Sequence, residues 1–349
     1  MEENKFSINI SVGTVIKILT ILVIAVFLYM IRGILMSVIL SLVIASGIEP
    51  AAAWLQKRKI PRALAVVFIY MAAFLFLGAM FYIIIPTTFS ELTNFSDNIP
   101  LYLEKPFEAG TVDKIFGNLP MFVRDGLGNS ITMLGEYIDT FTASFFDFAS
   151  MAVGGVVSFI LVIVLSFYLS VQENGVENFL RIIIPTRHED YAISLWMRWR
   201  KKIGYWLQGQ ILLGFIVGVL VYIGLTLLQV KYALTFAILA AIFELIPIFG
   251  PILSAIPPII VALLENPWLA LEVLILYVII QQFENHLIYP LVVRKIVGVP
   301  AVVVILALVI GANVGGFVGM LLAVPLATIA MEVLDDINYR KKRIAKPTA

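Results

Sequence analysis

A chain of 349 residues with 61% hydrophobic side chains, 13% charged ones and a mean hydropathy of +1.01 lies outside the range of soluble domains. The net charge of +1 says little, because in a membrane protein the distribution of charge matters and the total does not. The lack of cysteine excludes disulfides, thiol catalysis and Cys-ligated metals; with His188 and His286 the only histidines, no metal or other cofactor is expected.

Runs apolar enough to cross a bilayer lie at 12–31, 33–53, 63–86, 148–171, 210–228 and 268–291. The first lacks a small-residue cleavage site and reads as an anchor, not a signal peptide. Between the third and fourth runs, residues 87–147 form a polar insertion with nine Asp and Glu against Lys105, Lys114 and Arg124. Its Pro and Gly punctuation predicts several short helices. Basic residues orient the chain: Lys57, Arg58, Lys59 and Arg62 place the turn after the second run in the cytoplasm, which puts the insertion outside. Arg181 to Lys202 and the basic tail 336–349 then fall inside, and both termini are expected to be cytoplasmic. Residues 194–208 interleave Trp196, Trp199, Tyr205 and Trp206 with Arg198, Arg200, Lys201 and Lys202. That mixture reads as an interfacial amphipathic helix at the inner headgroups in preference to a nucleic-acid patch, so no nucleic-acid partner is expected.

The final third holds two apolar stretches, each broken in its middle. The first break reads Ile246-Pro247-Ile248-Phe249-Gly250-Pro251 and the second Gly311-Ala312-Asn313-Val314-Gly315-Gly316. Each stretch is either one kinked span or a hairpin that enters and leaves on one side. The arms (233–245 and 252–264, then 300–310 and 317–331) reach roughly 16–23 Å at 1.5 Å per residue, short of the ~30 Å hydrocarbon core. Hairpins also put Arg294 and Lys295 inside and Glu265 and Glu272 outside, in keeping with the positive-inside bias. The expected fold is therefore all-α and polytopic, with six full spans and two re-entrant helical hairpins. Its expected units are 1–86, 87–147, 148–209, a hairpin-containing transport unit at 210–335, and the tail 336–349.

Irregular backbone at membrane depth is tolerated only inside protein or beside a watery cavity, and paired interruptions point to a transporter's site. Helix ends at the two tips would offer unpaired N–H and C=O groups, and Gly250, Gly315 and Gly316 would allow close backbone approach. Tight turns packed on neighbours are the alternative. Carboxylates in apolar segments are costly and need a partner or a cavity, which singles out Glu244 and Glu284. Gln281 shares a face with Glu284 and Asn285. Asn313 would line the second tip or cap its own helix. The pattern Gly214-x-x-x-Gly218 is only a weak packing signal. No Walker loop, His-Glu-x-x-His or Gly-x-Ser-x-Gly occurs, and no enzyme activity is expected.

Residues 243–251 with Ile256-Pro257-Pro258 resemble the hallmark of the autoinducer-2 exporter family of bacterial permeases. Gln281 to Pro290 and Gly315 to Leu326 are similar to the family's Q-x-x-E-x-x-x-L-x-P and G-x-x-G-M-x-x-x-V-P-L segments. The resemblance implies an inner-membrane homopentamer whose protomers carry a solute by an elevator-type movement, with two hairpins forming the site. It also implies export of a small polar solute resembling autoinducer-2, or sodium(lithium)/proton antiport. The site residues so implied include Glu244, Pro247, Gly250, Pro251, Gln281, Glu284, Gly315 and Gly316. Asn285 and His286 stand where relatives often carry glycine and asparagine. A membrane scaffold that transports nothing is the third reading.

Overall fold

The computed structural model describes residues 12–79, 82, 156–288 and 298–345. The insertion 87–147 and the Arg294-Lys295 pair, on which two expectations rest, lie outside the described residues. All regular structure among the described residues is helical: α1 (Val12–Met30), α2 (Arg32–Lys57), α3 (Arg62–Ala79), α4 (Val156–Val171), α5 (Gly175–Ile183), α6 (Thr186–Leu227), α7 (Ala233–Phe243), α8 (Phe249–Glu265), α9 (Pro267–Phe283) and α10 (Ala301–Ala345). Six stretches are long and apolar enough to cross a membrane: Gly13–Met30, Arg32–Lys57, Arg62–Ala79, Thr186–Leu227, Pro267–Ile288 and Ala301–Tyr339. The number matches the sequence expectation but the membership does not. The run at 148–171 is described only from Val156, and its helix turns by 91° into α5. Ala301–Tyr339 enters the set only as one piece, and its backbone is broken at Gly315 and Gly316.

The stretch 194–208 departs from expectation. It is no separate interfacial helix but the first half of α6, a 42-residue helix that also contains the run 210–228 up to Leu227. No proline interrupts 186–227, and Trp199 and Trp206 are buried against α2 and α10. The boundary expected at 209/210 therefore falls inside a helix. The short amphipathic helix is α5, which leaves Phe179, Ile182 and Ile183 exposed.

Proline and glycine set how closely α6 packs. Pro50 inside α2 has no N–H to give the carbonyl of Ser46, and a Cβ on Gly204 of α6 would strike that same oxygen. Gln208 Nε2 donates to the carbonyl of Gly47 at 2.9 Å on the same seam. Two turns further along α6, a Cβ on Gly214 would come within 2.6 Å of the Ala241 carbonyl oxygen, and one on Gly218 within 3.0 Å of Ala241 Cβ. Gly214-x-x-x-Gly218, weak as a pattern, is thus the contact between α6 and α7.

Charged residues tie the helices where α2 ends and α6 begins. Glu49 of α2 accepts from Arg62 of α3 (2.7 Å) and from Arg200 of α6 (2.6 Å), and Arg200 reaches Glu177 of α5 at 3.5 Å. On the other side of α6, Arg198 pairs with Glu332 and Asp336 of α10, Lys202 pairs with Glu332, and Trp199 Nε1 donates to the carbonyl of Pro325. At the far end of α6, Lys231 pairs with Glu265.

Candidate functional site

Both breaks are chain reversals seated beside the middle of α6. In the first, α7 ends at Phe243 and α8 begins at Phe249, and the two share one apolar core. Ile248 sits at φ 70°, ψ −56°, and the N–H of Phe249 donates to the carbonyl of Pro247 at 2.8 Å. That is a γ-turn with positive φ, a rare and strained conformation, on a β-branched residue that ordinarily avoids it. Gly250 then packs so tightly that a Cβ would fall on the Phe243 carbonyl oxygen. In the second break Gly316 has φ 58° and ψ −134°, a region open essentially to glycine alone. The backbones of Gly311 and Gly319 touch across it. In an unbroken helix they would be about 12 Å apart at 1.5 Å per residue, so the two halves of α10 lie side by side.

The two reversals meet. Phe243 and Phe317 stack edge to face with centroids 6.1 Å apart, and Ile246 shares a buried cluster with Leu308 and Ala323. Their bases point in opposite directions along α6: Glu265 of the first pair meets Lys231 just past its C-terminal end, and Glu332 of the second meets Lys202 in its N-terminal half.

At this junction sits a polar cluster with almost no access to solvent. Glu244 is 1% exposed, Glu284 5% and Gln210 0%. The two carboxyl groups lie side by side, close enough to interact electrostatically with each other. Gln281 Nε2 donates to Glu284 Oε2 at 3.0 Å, and Gln210 Nε2 donates to the backbone carbonyl of Glu244 at 2.5 Å. Among the described residues, Glu244 Oε2 and Gln210 Oε1 have no hydrogen-bond partner. Glu284 opens a π-helical turn that continues α9 to Ile288, and such turns are frequent at functional sites. Two acidic groups in contact within an apolar interior cannot both be charged without a proton or cation between them. The arrangement can therefore take up and release positive charge.

Residues 18–339 match the pattern of the AI-2E family transporter. The chain belongs to that family. AI-2E family relatives include "Putative transport protein YueF" of Bacillus subtilis, 28% identical over 83% of this chain and 80% of its own length. "Putative transport protein YhhT" of Escherichia coli K12 is 25% identical over 90% and 88%. "Putative permease PerM" of the same strain is 26% identical over 71% and 68%. The chain is accordingly a multi-pass membrane transporter, not an enzyme, and its surroundings are a lipid bilayer.

Of the residues singled out in the sequence, Glu244, Gln281 and Glu284 come together. Pro247, Gly250 and Pro251 build the first reversal beside them, and Gly315 and Gly316 build the second. Asn285 is exposed and outside the cluster. Asn313 is also exposed, and its Nδ2 donates to the carbonyl of Val309 one turn back, the capping alternative. His286 likewise bonds back to Gln282 and is exposed. Sequence reasoning missed Gln210 and Glu49. Glu49 is a carboxylate within an apolar helical run, the same signal that exposed Glu284; Gln210 is an uncharged amide two residues after Gln208 and carries no such signal.

Proposed function

We propose that this AI-2E family protein is a secondary transporter exporting a small polar solute, of the kind autoinducer-2 represents, and that Glu244 and Glu284 couple the movement to protons or a monovalent cation. The observation that carries this reading is the contact between the two buried carboxyl groups at the meeting of two chain reversals. The reversals act as re-entrant hairpins entering from opposite faces, and their tips close the site. Within 210–335 they form the moving part of an elevator, with the solute held near Pro247, Gly250, Pro251, Gly315 and Gly316. Both termini are cytoplasmic, and protomers assemble as a homo-oligomer, a pentamer by the family resemblance, in the bacterial inner membrane.

Sodium(lithium)/proton antiport is the second reading. It is favoured by one specific feature, the excess of acceptor oxygens in the cluster. Purified protein in liposomes separates the two: imposed sodium or lithium gradients either drive proton movement or do not, and release of an autoinducer-2-type furanone is followed in parallel. Glu284→Gln is expected to lower the ion-driven flux at least tenfold. Unchanged flux in that variant would sink the coupling role.

A further inference from the structure

Gln210 is the most deeply buried polar side chain of α6, and its position is set by two neighbours. Its Nε2 donates to the Glu244 carbonyl, and Gly214 one turn later brings α6 into backbone contact with α7. An amide fully removed from water costs about 1–3 kcal/mol for each polar atom left without a partner. Leucine or methionine would fill the same space without that penalty. Yet Gln210 Oε1 is unpartnered among the described residues, as is Glu244 Oε2. Both unsatisfied atoms of the cluster are oxygens, and its amide nitrogens on Gln210 and Gln281 are already engaged. The atoms left without partners are thus all lone-pair acceptors, although each amide nitrogen keeps a second N–H. Such a set suits a guest that carries positive charge and disfavours an anion.

From this we infer that Gln210 is a ligand-binding residue of the site, its Oε1 coordinating the monovalent cation that the Glu244–Glu284 pair admits. The inference rests on the reading of that pair as the ion-handling centre. Gln210 touches the tip residue Glu244 from a different helix, so cation binding ties α6 to the first reversal. Release of the cation loosens that tie.

The test uses the full chain in detergent, with thermal midpoints in choline chloride and with choline replaced stepwise by lithium or sodium. A bound ion raises stability with the logarithm of its concentration once that exceeds the dissociation constant. Wild type is expected to gain stability with lithium or sodium. Gln210→Leu loses the bond to the Glu244 carbonyl and should start from a lower midpoint in choline, but should need at least tenfold more ion for the same rise above that start. Gln210→Glu retains an oxygen at the position and should keep the gain, whereas a role confined to the Nε2–carbonyl bond would be lost in both variants. A wild-type ion dependence in Gln210→Leu, equal losses of the rise in Gln210→Leu and Gln210→Glu, or no gain in wild type would each overturn the inference. Glu284→Gln separates the levels. If it loses the gain while Gln210→Leu keeps it, only the role of Gln210 falls; if both keep it, the carboxyl pair is not the ion site.

Discussion

Ile248 is the residue where local preference and tertiary demand conflict most openly. A β-branched side chain at φ 70° costs on the order of 1–3 kcal/mol, and the residue is 43% exposed, so its side chain returns little by burial. Ile248→Gly should remove that strain, offset by about 1 kcal/mol for glycine's extra freedom in the unfolded chain. The expected net result is a higher thermal midpoint, read in detergent, with Ile248→Ala showing no comparable gain. A lower midpoint for the glycine variant would show that the turn is not strained. Glu244 was legible in the sequence because a carboxylate in an apolar run has few cheap explanations. The strain beside it was not, since Pro247 and Gly250 announce a turn without specifying which residue adopts the left-handed conformation.

For helices, the sequence reading succeeded where chain chemistry is local and failed where packing decides. Both breaks were visible because proline and glycine interrupt a helix whatever surrounds them. The fate of residues 194–208 was not, because tryptophan and arginine suit a headgroup interface as well as a buried seam. Only the contacts of Trp199 with Pro325 and of Arg200 with Glu49 distinguish them. Glycines show the same division. Gly319→Ala would push its methyl into the Gly311 backbone and part the halves of α10, at a cost of about 1–3 kcal/mol. Gly33→Ala meets open space within α2 and should be neutral or stabilising by up to about 1 kcal/mol. Paired thermal midpoints check both, and equal effects would deny the close approach of Gly311 and Gly319.

Across the whole molecule, the arrangement of the two reversals makes a topological demand. If both arms of each pair return to the side they left, the segment carrying Lys295 faces the cytoplasm. The native chain has no cysteine, so Lys295→Cys gives a single thiol. A membrane-impermeant maleimide applied to intact cells should leave it unlabelled and should react once the cells are opened. Labelling from outside would mean that the first pair crosses the bilayer instead of returning, and would remove the seat of the proposed carrier. The order of the elements was readable from hydropathy, but their convergence on Gln210 was not, because contacts between distant segments leave no periodic trace in the chain.

The length of α6 has one more implication. Forty-two helical residues extend about 63 Å at 1.5 Å each, and a slab of hydrocarbon roughly 30 Å thick cannot swallow that at the usual inclinations of up to about 40°. A substantial shaft must extend beyond the hydrocarbon, and the charges of Arg187 to Lys202 mark its Thr186 end as that part. An antibody fragment raised against this shaft would have a rigid handle outside the hydrocarbon. Because the same shaft is bolted to α2 and α10 by its two ionic knots, such a grip would clamp the carrier without reaching its centre.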